Sequence, residues 1–250
     1  MKKLLLGAAA AFAIIAPGVA AADTTGFVGF GAATLDDDAD SWKDDLLTIE
    51  GAVVTSLNDT WSLGFRGSNH DMGHDSHTHA YQAIDVQAFT ATDTYSFGGY
   101  AGSAMDSTWG FGVGGSLYFG NFTVGGDVSY VDDRKDGGYE VTTTTARAGY
   151  YFTNNFAVTG EYGYTDSEWE GEEASIWGLG AEYQFANSPF SISANYTMAD
   201  SDYNGGGGHE AETFGVGVRY HFGTSDLMSR DRSGLLNGLG TVARNHALLY

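Results

Sequence analysis

The chain has 250 residues, with 11 Lys and Arg against 32 Asp and Glu for a formal charge of −21, and it has no cysteine. So acidic a balance excludes nucleic acid as a partner, because the phosphate backbone attracts the opposite sign; the missing cysteines exclude a disulfide framework. Glycine is abundant at 37 residues while proline occurs only twice, a composition that suits uninterrupted β-ladders.

Met1, Lys2 and Lys3 precede an apolar run from Leu4 to Ile15, a Pro17-Gly18 break, and the small residues Ala20, Ala21 and Ala22 before Asp23. A cationic start, an apolar middle and a small-residue site are the three parts of a secretory signal peptide. Residues 1–22 are therefore expected to be removed, which takes Lys2 and Lys3 away and leaves −23 on the mature chain. The apolar run is about a dozen residues, short of the roughly 20 that a spanning helix needs. Pro17 leaves with the signal, so only Pro189 remains to interrupt a ladder.

From Asp23 onward a unit of about ten residues recurs with apolar side chains at alternate positions. Twelve segments carry it: 26–35, 46–57, 61–68, 80–90, 95–103, 108–119, 122–131, 139–152, 156–165, 174–185, 190–199 and 211–222. Their connections alternate in kind. Residues 58–60, 91–94, 120–121, 153–155 and 186–189 are tight, whereas 36–45, 69–79, 104–107, 132–138, 166–173 and 200–210 are mostly longer and nearly all acidic. Short turns at one end and long loops at the other predict an all-β fold, a transmembrane antiparallel up-and-down β-barrel of about 12 strands. A soluble β-sandwich has no reason to alternate in this way.

The faces of single strands agree. In 108–119, Trp109, Phe111, Val113, Leu117 and Phe119 share one side, and Thr108, Gly110, Gly112, Gly114, Ser116 and Tyr118 share the other. Lipid would take the first set. The same division recurs with Phe122, Val124 and Val128 against Thr123, Asp127 and Ser129, and with Trp177, Leu179, Tyr183 and Phe185 against Glu182 and Gln184. Aromatics at strand ends beside the short turns, such as Trp61, Tyr95, Phe119 and Phe190, would form an interfacial girdle.

The last segment, from Thr213 to Phe222, alternates apolar residues and ends on an aromatic, as TFGVGVRYHF. In this it resembles the terminal assembly signal of bacterial outer-membrane proteins. Together with the signal peptide and the hairpin pattern, residues 23–222 resemble a small porin-like outer-membrane β-barrel protein of Gram-negative bacteria. The resemblance implies passive passage of small solutes or ions, outer-membrane lipid and lipopolysaccharide as surroundings, and the barrel assembly machinery as a partner during insertion. Such proteins commonly end at the aromatic, but this chain continues through residues 223–250. That tail is expected to be periplasmic or disordered, although its place, lumen included, is not legible from the sequence.

With the apolar face toward lipid, ionisable residues inside strands must face the lumen, since a midplane charge on the lipid face costs a few kcal/mol. The candidate pore-lining set is Glu50, Arg66, Asp85, Asp127, Arg147, Glu161, Glu182 and Arg219, with His221 at the rim. Five carboxylates against three guanidiniums predict a modest cation preference, strengthened by the acidic loops. An internal salt-bridge network that plugs the barrel fits the same residues equally well. Inward glycines such as Gly112, Gly114, Gly178, Gly215 and Gly217 tilt the reading toward open space.

The segment 69–79, read as an external loop, holds His70, His74, His77 and His79 near Asp71 and Asp75. Imidazole with carboxylate suits zinc, copper or nickel, although flexible His-rich tracts more often form a solvated surface. Loop carboxylates such as Asp36, Asp37, Asp38 and Glu172 show no EF-hand spacing, and no cofactor is expected. Hydrolytic catalysis would need Ser and His fixed together on rigid strands facing lipid. His74 and Ser76 fall in the loop and Ser175 has no lipid-facing histidine partner, so no enzyme activity is expected. A non-conducting structural or surface-binding barrel is the alternative to a porin.

Overall fold

The computed structural model describes residues 24–37, 43–74, 77–104, 108–133, 139–167, 172–202, 208–223 and 226–249. The signal peptide lies outside them. Twelve strands follow in chain order: β1 (Thr24–Asp37), β2 (Lys43–Ser56), β3 (Ser62–His74), β4 (His77–Ala91), β5 (Tyr95–Ala104), β6 (Thr108–Phe119), β7 (Phe122–Asp133), β8 (Tyr139–Thr153), β9 (Phe156–Ser167), β10 (Glu172–Gln184), β11 (Phe190–Asp202) and β12 (Gly208–Phe222). Two helices come after them, α1 (Leu227–Asp231) and α2 (Gly240–Leu249).

Each strand pairs antiparallel with its neighbours in sequence, and β1 closes onto β12 with Gly26 opposite Phe222 and Thr34 opposite Phe214. Closure leaves no strand edge, so every ladder group finds a partner without water, as a bilayer requires. The outward face is the apolar one: Trp109, Phe111, Val113, Leu117 and Phe119 are all exposed, while Ser116 and Tyr118 between them are buried. At the tight-turn end, Phe122 and Tyr150 lie 4.6 Å apart, Phe152 stacks on Phe156 at 5.3 Å, and Phe190 meets Tyr220 edge-on at 5.3 Å. These rings form the expected girdle.

Local chemistry sets the tight turns. Gly120 takes φ 56° in the two-residue turn between Phe119 and Phe122, a conformation that costs glycine little. After β2, the Asn58 side chain accepts from the N–H groups of Thr60 and Trp61, each at 2.9 Å.

At the acidic end the strands run further than the apolar alternation indicates. β3 continues to His74 and β4 resumes at His77, with those two residues directly opposite, so most of the segment read as a loop over 69–79 is ladder. Beyond the lipid no outward face has to be apolar, so the periodic signal fades while backbone groups still pair.

The tail also departs from expectation. Rather than being periplasmic or disordered, it turns at Gly223 (φ 74°) and runs back through the barrel. Leu227 is buried against Tyr151 and Ala157 near the tight-turn end. Leu236, Leu239, Val242 and Ala243 pack on Ala83, Tyr100, Val131 and Val141 of the inner wall. Leu248 reaches an apolar cluster with Leu35, Leu46, Met72 and Ile176 toward the acidic end. The physical reason is space: inward positions rich in Gly, Ala, Ser and Thr do not fill a barrel of this strand number, and the tail's apolar residues are buried by doing so.

Candidate functional site

The lumen is the candidate site, and its wall divides into a side occupied by the tail and an open side. On the occupied side, Asp85 Oδ2 accepts from the Leu239 N–H at 3.0 Å and Asp85 Oδ1 from Gln87 Nε2 at 2.8 Å. Gln87 Oε1 accepts from the Leu236 N–H at 2.9 Å. The Leu236 carbonyl accepts from Gln87 Nε2 and Arg66 Nη1, both at 3.2 Å. The tail is thereby held by its backbone, as a further strand would be. Close approach requires Gly238, whose φ is 67° and whose missing Cβ would run into the Asp85 carboxylate. Asp127 accepts from Tyr100 Oη at 2.8 Å, Thr145 Oγ1 at 2.6 Å and Asn237 Nδ2 at 3.1 Å.

Glycines read as leaving space are in part covered. Tyr100 lies over Gly112, and Asp127 stands beside Gly114. The sequence pattern assigns faces but does not say which neighbour leans over a vacancy.

On the other side, β2, β3, β10, β12 and α1 build a charged cluster. Arg219 bridges Glu50 Oε1 (2.6 Å) and Glu182 Oε2 (2.5 Å), and Arg66 approaches Glu50 Oε2 at 3.4 Å. Arg230 of α1 grips Glu182 with both terminal nitrogens, at 2.9 and 3.0 Å, the planar two-point geometry that suits guanidinium and carboxylate. Arg219 and Arg230 also lie over the Phe27 ring, at 5.4 and 5.8 Å. Arg147 bonds Asn237 Oδ1 and Ser116 Oγ, both at 3.2 Å, and has Asp231 at 3.9 Å. Arg244 of α2 pairs with Glu161.

Between the tail and the walls of β8–β12 and β1–β3 a cavity of about 410 Å3 remains, bordered by six of the eight proposed residues, namely Glu50, Arg66, Arg147, Glu161, Glu182 and Arg219. Asp85 and Asp127 do not border it, because the tail covers them. Among the described residues, Arg230 and Arg244 join Arg66, Arg147 and Arg219 there, against Glu50, Glu161, Glu182 and Asp231. The cavity thus carries one guanidinium in excess; the strand residues that border it are balanced, three against three, and the two carboxylates that give the full set of eight its acidic excess, Asp85 and Asp127, lie behind the tail. Sequence reasoning missed the tail's contribution. Its signal was that Arg230, Arg232 and Arg244 are three of the few cations in an acidic chain.

His70 does not belong to an external loop. It is buried on the inner wall of β3, with Nδ1 3.2 Å from Thr48 Oγ1. The backbone places His74 opposite His77 and Met72 opposite His79; the side chains of His74, His77 and His79 lie outside the described residues.

A serine and a histidine do meet, but inside the barrel. Ser191 Oγ lies 2.8 Å from His221 Nε2 and donates to Glu182 Oε1 at 2.6 Å. Glu182 also approaches the same imidazole nitrogen, at 3.5 Å, whereas a nucleophilic triad needs the acid on the opposite nitrogen. Arg230 crowds both ring nitrogens at 3.3 Å, and Ser191 is fully buried. The trio braces the wall.

A closed ladder with an apolar exterior, an aromatic girdle and a polar interior defines an outer-membrane barrel of the channel type. Residues 29–225 match the model of the Gram-negative porin family, and the chain belongs to that family. No curated protein matches the sequence. Among solved structures, the NanC porin aligns with TM-score 0.56 at 11% identity, covering 76% of this chain and 98% of that one. An outer-membrane channel of Pseudomonas putida F1 aligns with TM-score 0.53 at 13% identity, covering 80% and 95%. The KdgM porin aligns with TM-score 0.51 at 12% identity, covering 78% and 99%. At these identities the likeness is one of fold. The family and the fold place the protein in the outer membrane, among its lipids.

Proposed function

We propose that the protein gives small solutes passive passage across the outer membrane, along the open side of a lumen that its own tail narrows. The observation that carries this is the cavity beside the tail, lined by paired charges and by the inward Thr159 and Asn195, both of which are exposed to it. The cation preference expected from the strand residues is reassigned to the mouth. There Asp36, Asp45, Glu140, Asp166, Asp200 and Glu210 stand exposed at the long-loop ends of the strands. Such a ring raises the local cation concentration at low salt. The same carboxylates would meet lipopolysaccharide phosphates through divalent cations, and β12 would present the insertion signal to the barrel assembly machinery. No enzymatic step belongs to this reading; lipid hydrolysis by the purified protein would contradict it.

The extent to which the tail fills the lumen favours a second reading, a structural barrel that does not conduct. Single-channel conductance of the mature chain in a planar bilayer separates the two. Small, stable conductance steps support the first reading, and their absence establishes the second.

A further inference from the structure

The inward row of β3 and the facing turn of α2 carry polar atoms that the rest of the barrel leaves unused. Arg66 Nε, Ser68 Oγ and His70 Nε2, at successive inward positions of β3, are buried without a hydrogen-bond partner among the described residues. Arg244 Nε, on α2, is in the same condition. All four residues border the one cavity, together with Gly240 and Thr241 at the start of α2. Gly240 lets α2 approach the row without filling the space beside it: a Cβ there would stand 3.0 Å from Ser68 Oγ and 3.7 Å from Arg66 Nε.

These atoms share a chemical character. A guanidinium Nε–H can only donate, and a serine hydroxyl is free to donate. The His70 ring has Thr48 Oγ1 at 3.2 Å from Nδ1; when that hydroxyl donates to Nδ1, Nε2 carries the proton and donates too. The nearby carboxylates are already engaged, Glu50 by Arg66 and Arg219 and Glu161 by Arg244. A water molecule accepts from only part of such a set and brings hydrogens that need acceptors of their own. An oxyanion accepts from every member, and charge-assisted bonds from guanidinium are the strong ones. The extra guanidinium around the cavity favours the same sign.

We propose that β3 and α2 together form a binding site for one small oxyanion of the carboxylate or phosphate class, with Arg66, Ser68 and His70 as the fixed wall and Arg244 as the part the tail supplies. Retention of an anion does not require conduction, so the site stands even if the barrel is closed.

The test is calorimetric titration of the folded mature chain in a non-ionic detergent, with inorganic phosphate and separately with acetate, at constant ionic strength held by sodium chloride. We expect saturable one-to-one binding of at least one of them. Phosphate alone assigns the phosphate class, and acetate alone the carboxylate class. Arg244→Gln should weaken binding about tenfold or more, the equivalent of about 1.4 kcal/mol. Because that variant could also loosen the tail, Ser68→Ala is measured beside it; it removes one donor and no hydrogen bond to the tail, and it should weaken binding severalfold. Heat-dependent migration verifies that each variant is folded. Absence of saturable heat with both anions overturns the proposal, as does equal affinity in the parent and both variants.

Discussion

Asp85, fully buried, and Glu182, half-buried, are carboxylates that hold the same tail by different means. Asp85 receives the Leu239 N–H and the Gln87 amide, so Asp85→Ala strands the Leu239 donor of the tail, at about 1–3 kcal/mol, and leaves Gln87 only the Leu236 carbonyl. The barrel should persist while the tail loosens. Trypsin should then cut at Arg232 or Arg244 in folded Asp85→Ala protein and spare the parent chain; equal resistance would show that this anchor is dispensable. Glu182 instead holds two guanidiniums, Arg219 and Arg230. Glu182→Gln leaves Arg219 with Glu50 but takes the carboxylate from Arg230. Removing one partner of a fully buried pair costs about 3–5 kcal/mol, and a half-buried one less, so the urea midpoint in detergent should fall measurably, and Arg230→Met made in addition should restore part of it.

The β3–β4 hairpin and the tail behave as separable elements. The two strands of the hairpin are paired as far as His74 and His77, which brings two histidine backbones side by side outside the lipid. We expect at most weak zinc or copper binding there, abolished in the His74→Ala, His77→Ala double variant and weakened below about pH 6 as imidazoles protonate. His70→Ala should leave it unchanged, since that ring is inside the barrel; calorimetry decides. For the tail, a chain ending at Phe222 retains every ladder of the barrel. It should insert, migrate as a folded species and conduct severalfold more current than the full chain. Unchanged conductance would mean that the tail does not lie in the path.

For the whole molecule, closure predicts resistance to detergent at room temperature and unfolding only on heating, visible as different migration of unheated and boiled samples. Selectivity is the second global property. With the mouth acidic and the cavity close to balanced, reversal potentials under a salt gradient should show cation preference near 0.1 M salt, where the Debye length is about 10 Å. At 1 M, where it is about 3 Å, the preference should fade. A cation preference that persists at 1 M would instead place the deciding charges inside the lumen, where Glu161 and Glu50, which border the cavity, become the residues to neutralise.

What the residues alone determine here is the shell. Period-two apolarity, alternating short and long connections and the girdle aromatics each follow from a solvent that is lipid outside and water at both ends, so twelve strands and their faces are legible strand by strand. Trp109, Phe111 and Val113 need no tertiary information to be assigned outward, and Asp127 or Arg147 none to be assigned inward. The interior was decided only by the tertiary structure. Whether Arg219 lines a path or locks to Glu182 depends on residues 37 positions apart, on β12 and β10, meeting over the intervening β11, and Arg230 completes the lock from the tail. The tail itself shows weak periodicity, because its apolar residues answer to an irregular inner surface rather than to a repeating environment. Its place follows from volume and charge left over after closure, and those quantities exist only once the barrel has formed.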